Sequence, residues 1–174
     1  MILTGTEIDR RVHTGDVVIE PYDTTQLEPN SYGFHLGERI AVYDAPIVDV
    51  REPLKLCEFT IGPEGFVFQP KQFYLGHTVE RIGGITCASE LYANLSTALC
   101  GVFIQTSAPL GHTGAVIRWT LEITVVHPVR LYAGMRIGKI CFWETLGKNT
   151  SYSGRYNGSD SVVVSRIIED GENA

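Results

Sequence analysis

One acidic side chain, Glu122, stands in the middle of the run Ile117-Arg118-Trp119-Thr120-Leu121-Glu122-Ile123-Thr124-Val125. A carboxylate inside a strand-like run is costly to bury unless it is paired or used. The two-residue period of a strand puts Arg118, Thr120, Glu122 and Thr124 on one face, and Trp119, Leu121, Ile123 and Val125 on the other. A face carrying a carboxylate, a guanidinium and hydroxyls is either a site or the solvent side of a sheet, and the pattern leaves both open. A carboxylate held in a site can take a proton from water and hand it to a leaving group. A second group lies in Lys148-Asn-Thr-Ser-Tyr-Ser-Gly-Arg-Tyr-Asn-Gly-Ser-Asp160, where Tyr152, Arg155 and Tyr156 add aromatic and cationic grips to a Gly- and Ser-rich stretch. Such a segment is either a linker or a flap able to close over a ligand.

The elements that must position these groups read as strands. Gly101 to Phe142 consists of short runs rich in Val, Ile, Thr, Phe and Trp, separated by Gly and Pro. Upstream, Thr4-Gly-Thr-Glu7 reads as a capping box opening a short amphipathic helix, with Gly15 as its stop. Strands are expected at 17–19, 39–43, 66–68, 73–80 and 137–143. A half-buried strand is expected where Tyr32, Phe34 and Leu36 alternate with Gly33 and His35. Residues 44–64 read as loop with a weak strand, 85–99 as strand then loop, and 135–137 as a turn. The runs at 162–164 and 167–168 suggest a last strand. His35 is expected to make a structural hydrogen bond; His77 and His127 have no evident partner.

The 174 residues suggest one domain, with 44% apolar and 20% charged residues as in ordinary globular proteins. A net charge of −6 argues against general binding to nucleic acid, while leaving room for one local phosphate pocket. Cys57, Cys87, Cys100 and Cys141 are widely spaced in apolar surroundings, as buried thiols of a reducing compartment would be. The His-x-Glu and Pro-Cys-x-x-Cys ligand pattern of zinc deaminases is missing. No apolar run approaches the roughly 20 residues of a membrane helix, and the first residues lack a signal-peptide pattern. A soluble cytoplasmic protein is expected.

Several ordered segments carry a resemblance. Pro29-Asn-Ser-Tyr-Gly-Phe-His-Leu-Gly37, Gln72-Phe-Tyr-Leu-Gly-His-Thr-Val-Glu80, Thr120-Leu-Glu-Ile123 and Gly134-Met-Arg-Ile-Gly138 are similar to P-x-S-x-D-x-R-L-G, F-x-L-A-x-T-x-E, T-L-E and G-M-R-I-G motifs. With Arg155-Tyr156 and Ser165-Arg-Ile167 near the end, the whole chain resembles the dCTP deaminase family of the dUTPase-like superfamily. The resemblance implies a mainly β fold, a distorted jelly-roll β-barrel of the dUTPase-like type with a short N-terminal helix. It implies one domain over 1–174 with 144–174 as a C-terminal tail or lid, in a homotrimer with active sites between subunits. It also implies a zinc-free hydrolysis of the C4 amino group of a cytosine nucleotide, with Mg²⁺ bound through the substrate phosphates. Glu122 would be the general acid/base, Ser96 part of the water-activating network, Ala108 a backbone contact to the base edge, and Arg155 and Tyr156 holders of the phosphates. Thr120 lies in the T-L-E signature and is counted with the substrate contacts.

The sequence departs from the family at one motif above all. Asn94-Leu-Ser-Thr-Ala-Leu99 stands where the family has R-S-S-x-A-R, so Asn94 and Leu99 replace its arginines and Ser96 keeps its second serine. Arginine makes bidentate phosphate contacts that leucine cannot. His112-Thr-Gly-Ala115 replaces D-P-G-aromatic, Gly33 replaces an aspartate, and Ser159 lies near the usual tail glutamine. Three readings follow. The chain is a deaminase with an altered substrate, with Arg118 or His112 taking over some contacts, or a dUTPase-like nucleotide diphosphatase, or a non-catalytic nucleotide-binding relative. The deaminase reading is carried forward.

Overall fold

The computed structural model describes residues 1–104 and 107–170, the last by its backbone alone. Helix α1 spans Gly5–Thr14, and the strands that flank it are β1 Val17–Glu20, β2 Leu27–Glu28, β3 Ser31–His35, β4 Arg39–Tyr43 and β5 Leu56–Thr60. They are followed by β6 Phe66–Phe68, β7 Tyr74–Gly84, β8 Cys87–Ala93, a short helix α2 Leu95–Leu99, and β9 Val102–Ile104. The last four strands are none longer than nine residues: β10 Leu110–Gly111, β11 Ile117–Val125, β12 Val129–Leu131 and β13 Arg136–Glu144 close the series.

Two antiparallel sheets face each other as a distorted jelly roll. One runs β5-β4-β7-β11-β9, with β1 also on β7; the other runs β10-β8-β13-β3-β2, and β12 pairs with β6. Alternate residues of both sheets meet between them: Phe34, Leu91, Leu121, Ile123, Ile140 and Phe142 are all fully buried. α1 forms as its sequence dictates. The Thr4 hydroxyl accepts from Glu7 N–H, and Gly15 ends the helix at φ 81°, a left-handed conformation that costs glycine little. The capping box is only half made, because the Glu7 carboxylate turns to Arg10 and Arg11. Those hydrogen bonds hold its pKa at about 2.

Several sequence expectations are corrected. β3 is buried on nearly its whole length, not half-buried. Its outer face is covered because Gly33 leaves room for the Arg136 guanidinium, whose Nε lies 2.2 Å from where a Cβ would sit. Arg136 and Ile137 belong to β13, not to a turn, and Arg136 pairs with Glu28. Residues 95–99 are not loop, since α2 occupies them with Asn94 as its N-cap. The weak strand in 44–64 is a full partner of β4, in register from Arg39↔Thr60 to Tyr43↔Leu56. Residues 162–164 form no strand, and Ile167–Asp170 is a 3-10 turn. There the backbone donates to a side chain, Val163 N–H to Thr120 Oγ1 at 3.1 Å, rather than to a neighbouring ladder. Of the four cysteines, only Cys87 and Cys141 are buried; Cys57 and Cys100 are exposed. Burial pushes the Cys87 thiol up to about 11, so it stays protonated.

Candidate active site

β11 lies between β7 and β9, and its alternation is as the sequence indicates. Trp119, Leu121, Ile123 and Val125 are buried, and Arg118, Thr120 and Glu122 are half-buried. The β7–β11 register breaks between Arg118, opposite Arg81, and Thr120, opposite His77. At this irregularity the fully buried Thr78 hydroxyl replaces the ladder. It accepts from Trp119 N–H at 3.0 Å and donates to the Glu80 carbonyl at 2.7 Å. Such a break tends to re-aim the neighbouring side chains. Arg118 is drawn over it, with Nε donating to the Val79 carbonyl at 3.0 Å and a guanidinium nitrogen 3.2 Å from Asp160.

Beside this strand is a cavity of about 530 Å³, within the size range of small-molecule sites. Glu122, Thr120, Ala108, His112 and Tyr156 all line it, so five of the eight residues singled out from sequence come together. The other walls include Tyr43, Phe73, Leu75, Trp119 and Tyr152, which makes the cavity largely aromatic and aliphatic. Among the described residues that line it, Glu122 is the one carboxylate. Burial, with smaller contributions from Tyr156 and Glu122, pushes the Tyr43 phenol upward, so it faces the cavity as a neutral hydroxyl.

The tail forms the outer wall. Tyr152 N–H donates to the Thr113 carbonyl at 2.8 Å, and the Tyr152 ring stacks on His112 with centroids 5.6 Å apart. Arg118 N–H donates to the Ser159 carbonyl, and Tyr156 OH accepts from Arg166 N–H. Val163, Val164 and Ser165 then lie along the cavity. Thr120, chosen from the strand pattern, therefore has a second task, as the anchor of Val163.

Three of the expected residues lie elsewhere. Ser96 is exposed on α2 and does not line the cavity. Arg118 and Arg155 do not line it either; Arg155 donates to the Arg166 carbonyl while Arg166 donates to that of Arg155. The tail residues Ser159 and Val163 to Ser165 and the aromatic Tyr43 and Phe73 were not singled out as site residues, although Phe73, Ser159 and Ser165 lie in or beside the segments that carry the family resemblance. His35 makes the structural bond expected of it, with Nδ1 2.5 Å from the buried Glu80 carboxylate. His77 does have partners: Nδ1 bonds the Thr78 carbonyl and Nε2 receives Arg39 N–H. Burial lowers its pKa. Among the described residues, no group of three or more His, Cys, Asp or Glu could hold a metal ion. Nor is any helix among them long and apolar enough to cross a membrane.

Known proteins share both sequence and fold. A "dCTP deaminase, dUMP-forming" of Clostridium acetobutylicum is 35% identical over 171 residues, 98% of each chain. One of Leptospira biflexa is 36% identical over 173 residues, 99% of each chain. The solved 2'-deoxycytidine 5'-triphosphate deaminase of Agrobacterium tumefaciens superposes with a TM-score of 0.66 at 18% identity, over 83% of this chain. This chain spans about half of that one, 48%, and at such identity the likeness speaks for the barrel fold. Residues 2–145, from the first bridge through β13 and so including the whole of β11 with its carboxylate, match the dCTP deaminase-like family, and together with the full-length relatives this establishes that the chain belongs to it.

Proposed function

We propose that this protein is a pyrimidine nucleotide deaminase that hydrolyses the C4 amino group of a cytosine (deoxy)nucleotide. The observation that carries the reading is the position of Glu122, the one carboxylate in a cavity walled by aromatic and aliphatic side chains. In such surroundings a carboxylate is an effective proton carrier, because little water competes for it. Glu122 takes a proton from a water whose oxygen bonds to C4 of the ring. It delivers that proton to the ring nitrogen N3, giving a tetrahedral C4. It then moves the remaining hydroxyl proton to the amino group as the C4–N bond breaks, so that ammonia leaves and a C4 carbonyl forms. The Ala108 backbone reads the base edge, and His112, held flat by Tyr152, packs beside the substrate. Ser96 and the cations Arg118 and Arg155 belong to this reading as contacts made once a neighbouring subunit is in place.

The unit of function in this reading is a homotrimer of single domains spanning 1–174, with 144–174 as the lid. What supports it is that Leu95, Leu99, Phe103 and Val126 are large exposed apolar side chains, which a subunit contact would cover. Mg²⁺ would arrive on substrate phosphates. The cavity's single carboxylate does not by itself fit a protein-held ion, so no step passes through a metal. A cytoplasmic setting suits two exposed cysteines.

The test is an incubation with dCTP, dCMP, CTP, CMP, dUTP and 5-substituted cytosine nucleotides, reading ammonia and pyrophosphate in parallel. Ammonia from a cytosine species is the expected result. Pyrophosphate alone would make the protein a dUTPase-like diphosphatase, and silence in both channels would make it a non-catalytic binder. A light-scattering mass of one chain would remove the trimer.

A further inference from the structure

β9 pairs with β11 over Ile123 to Val125, and toward Ile117 it is the tail that lies against β11. Arg118 N–H donates to the Ser159 carbonyl at 3.0 Å, and the Thr120 hydroxyl accepts from Val163 N–H at 3.1 Å. Just ahead of these anchors the tail makes a turn, closed by the Ser159 hydroxyl donating to the Tyr156 carbonyl at 2.6 Å. Beyond them Val164 and Ser165 continue along the cavity, and the Ser165 backbone hydrogen-bonds the Tyr43 phenol on β4. Thr120 and Glu122 line the same cavity from one face of β11. The hydroxyl that the strand pattern counts with the substrate contacts is thus already committed to the tail.

We infer that Thr120 is a positioning residue: its hydroxyl clasps the Val163 amide and so holds the tail wall of the cavity shut beside Glu122. The inference rests on the deaminase reading for its effect on turnover, and on the hydrogen bond alone for its effect on the tail. One hydrogen bond shifts an equilibrium by roughly twofold to tenfold, so without it the open form of the tail gains by that factor. A ligand that needs the closed wall then binds more weakly, in proportion to the closed fraction lost. Saturating substrate draws the wall shut again, so the loss falls on KM and spares kcat. A threonine serving the reacting atoms would instead lower kcat.

Two variants of the full chain separate these roles. Thr120→Val keeps the shape of the side chain and removes the acceptor, whereas Thr120→Ser keeps the acceptor. Amide hydrogen exchange followed by NMR should show Val163 exchanging roughly twofold to tenfold faster in the valine variant, with the rest of β11 as protected as before. With a cytosine nucleotide that releases ammonia, KM should rise by a similar factor while kcat stays within about twofold. The serine variant should recover most of both losses. Unchanged Val163 exchange in the valine variant would overturn the clasp, as would a serine variant no better than the valine one. A fall in kcat at unchanged KM would overturn it too, and make Thr120 a contact of the reacting groups. No ammonia from the unaltered chain would remove the deaminase reading, and Val163 exchange would still decide the clasp.

Discussion

β11 and α2 are two of the stretches where chemistry was expected, and the fold treats them in opposite ways. β11 is clamped between β7 and β9, and its apolar residues lock into the core. The direction of Glu122 is therefore fixed by two ladders and by the packing of Leu121 and Ile123. α2 is five residues long, its N-cap Asn94 makes no side-chain cap bond, and only Thr97 of it is buried. Nothing in the fold dictates what Asn94, Leu95 or Leu99 must be. A site assembled from both can therefore keep its proton carrier while losing its phosphate contacts. In the proposed reading that is the combination here, with Glu122 on β11 as the carrier and asparagine and leucine at 94 and 99, where the resemblance to the family leads one to expect arginine.

The largest effect expected from breaking this contrast is on β11. Glu122→Gln should lower ammonia release by about 10²–10⁴-fold, the usual worth of a positioned general acid/base. Product affinity should change little. Steady-state kinetics alongside calorimetry would show it, and unchanged turnover would move the proton carrier elsewhere. Next comes the support beneath the strand. Thr78→Val removes the hydroxyl serving Trp119 N–H and the Glu80 carbonyl. It should cost about 1–3 kcal/mol, visible in urea unfolding. A loss no greater than that of an exposed threonine would mean that the register break holds itself.

On α2, the double change Asn94→Arg with Leu99→Arg should raise dCTP turnover relative to dCMP by about tenfold or more, with stability nearly unchanged. An unchanged ratio of kcat/KM values would detach α2 from phosphate recognition. The smallest effect separates the two regions by titration. Residues 94–99 contain no titratable side chain, whereas β7, the partner of β11, carries the buried His77 opposite Thr120. Burial lowers the folded pKa of His77 from 6.5, so the unfolded chain binds the proton more readily. Its stability contribution is complete above pH 6.5 and is lost as pH falls through the lower folded value. An NMR titration in which the His77 ring protonates at or above 6.5 would contradict this.

Periodicity was informative wherever a segment met only its own sheet. The face of β11 could be read because side chains alternate strictly and the core selects one set. The N-terminal helix could be read because caps act within one turn. The reading failed where a distant group decided the outcome. β3 looks half-buried until Arg136 arrives, a hundred residues later, to fill the space above Gly33. Residues 162–164 have the composition of a strand, yet the Val163 N–H donates to a side chain, that of Thr120. Cys57 and Cys100 sit in apolar stretches of sequence but on outer surfaces, because local composition does not say which side of a strand or helix end faces out.

By itself, then, the sequence determined most of the strands and the N-terminal helix, the side of β11 on which Glu122 stands, and that no arginine stands at positions 94 and 99. These depend on residue identity and on contacts a few positions apart. Tertiary structure alone decided that Ala108, His112, Thr120, Glu122 and Tyr156 share one cavity while Arg118 and Arg155 turn to carbonyls outside it. A long guanidinium side chain can satisfy many partners within its reach. Which partner it takes depends on where the fold leaves a carbonyl or carboxylate unpaired, and no spacing along the chain records that.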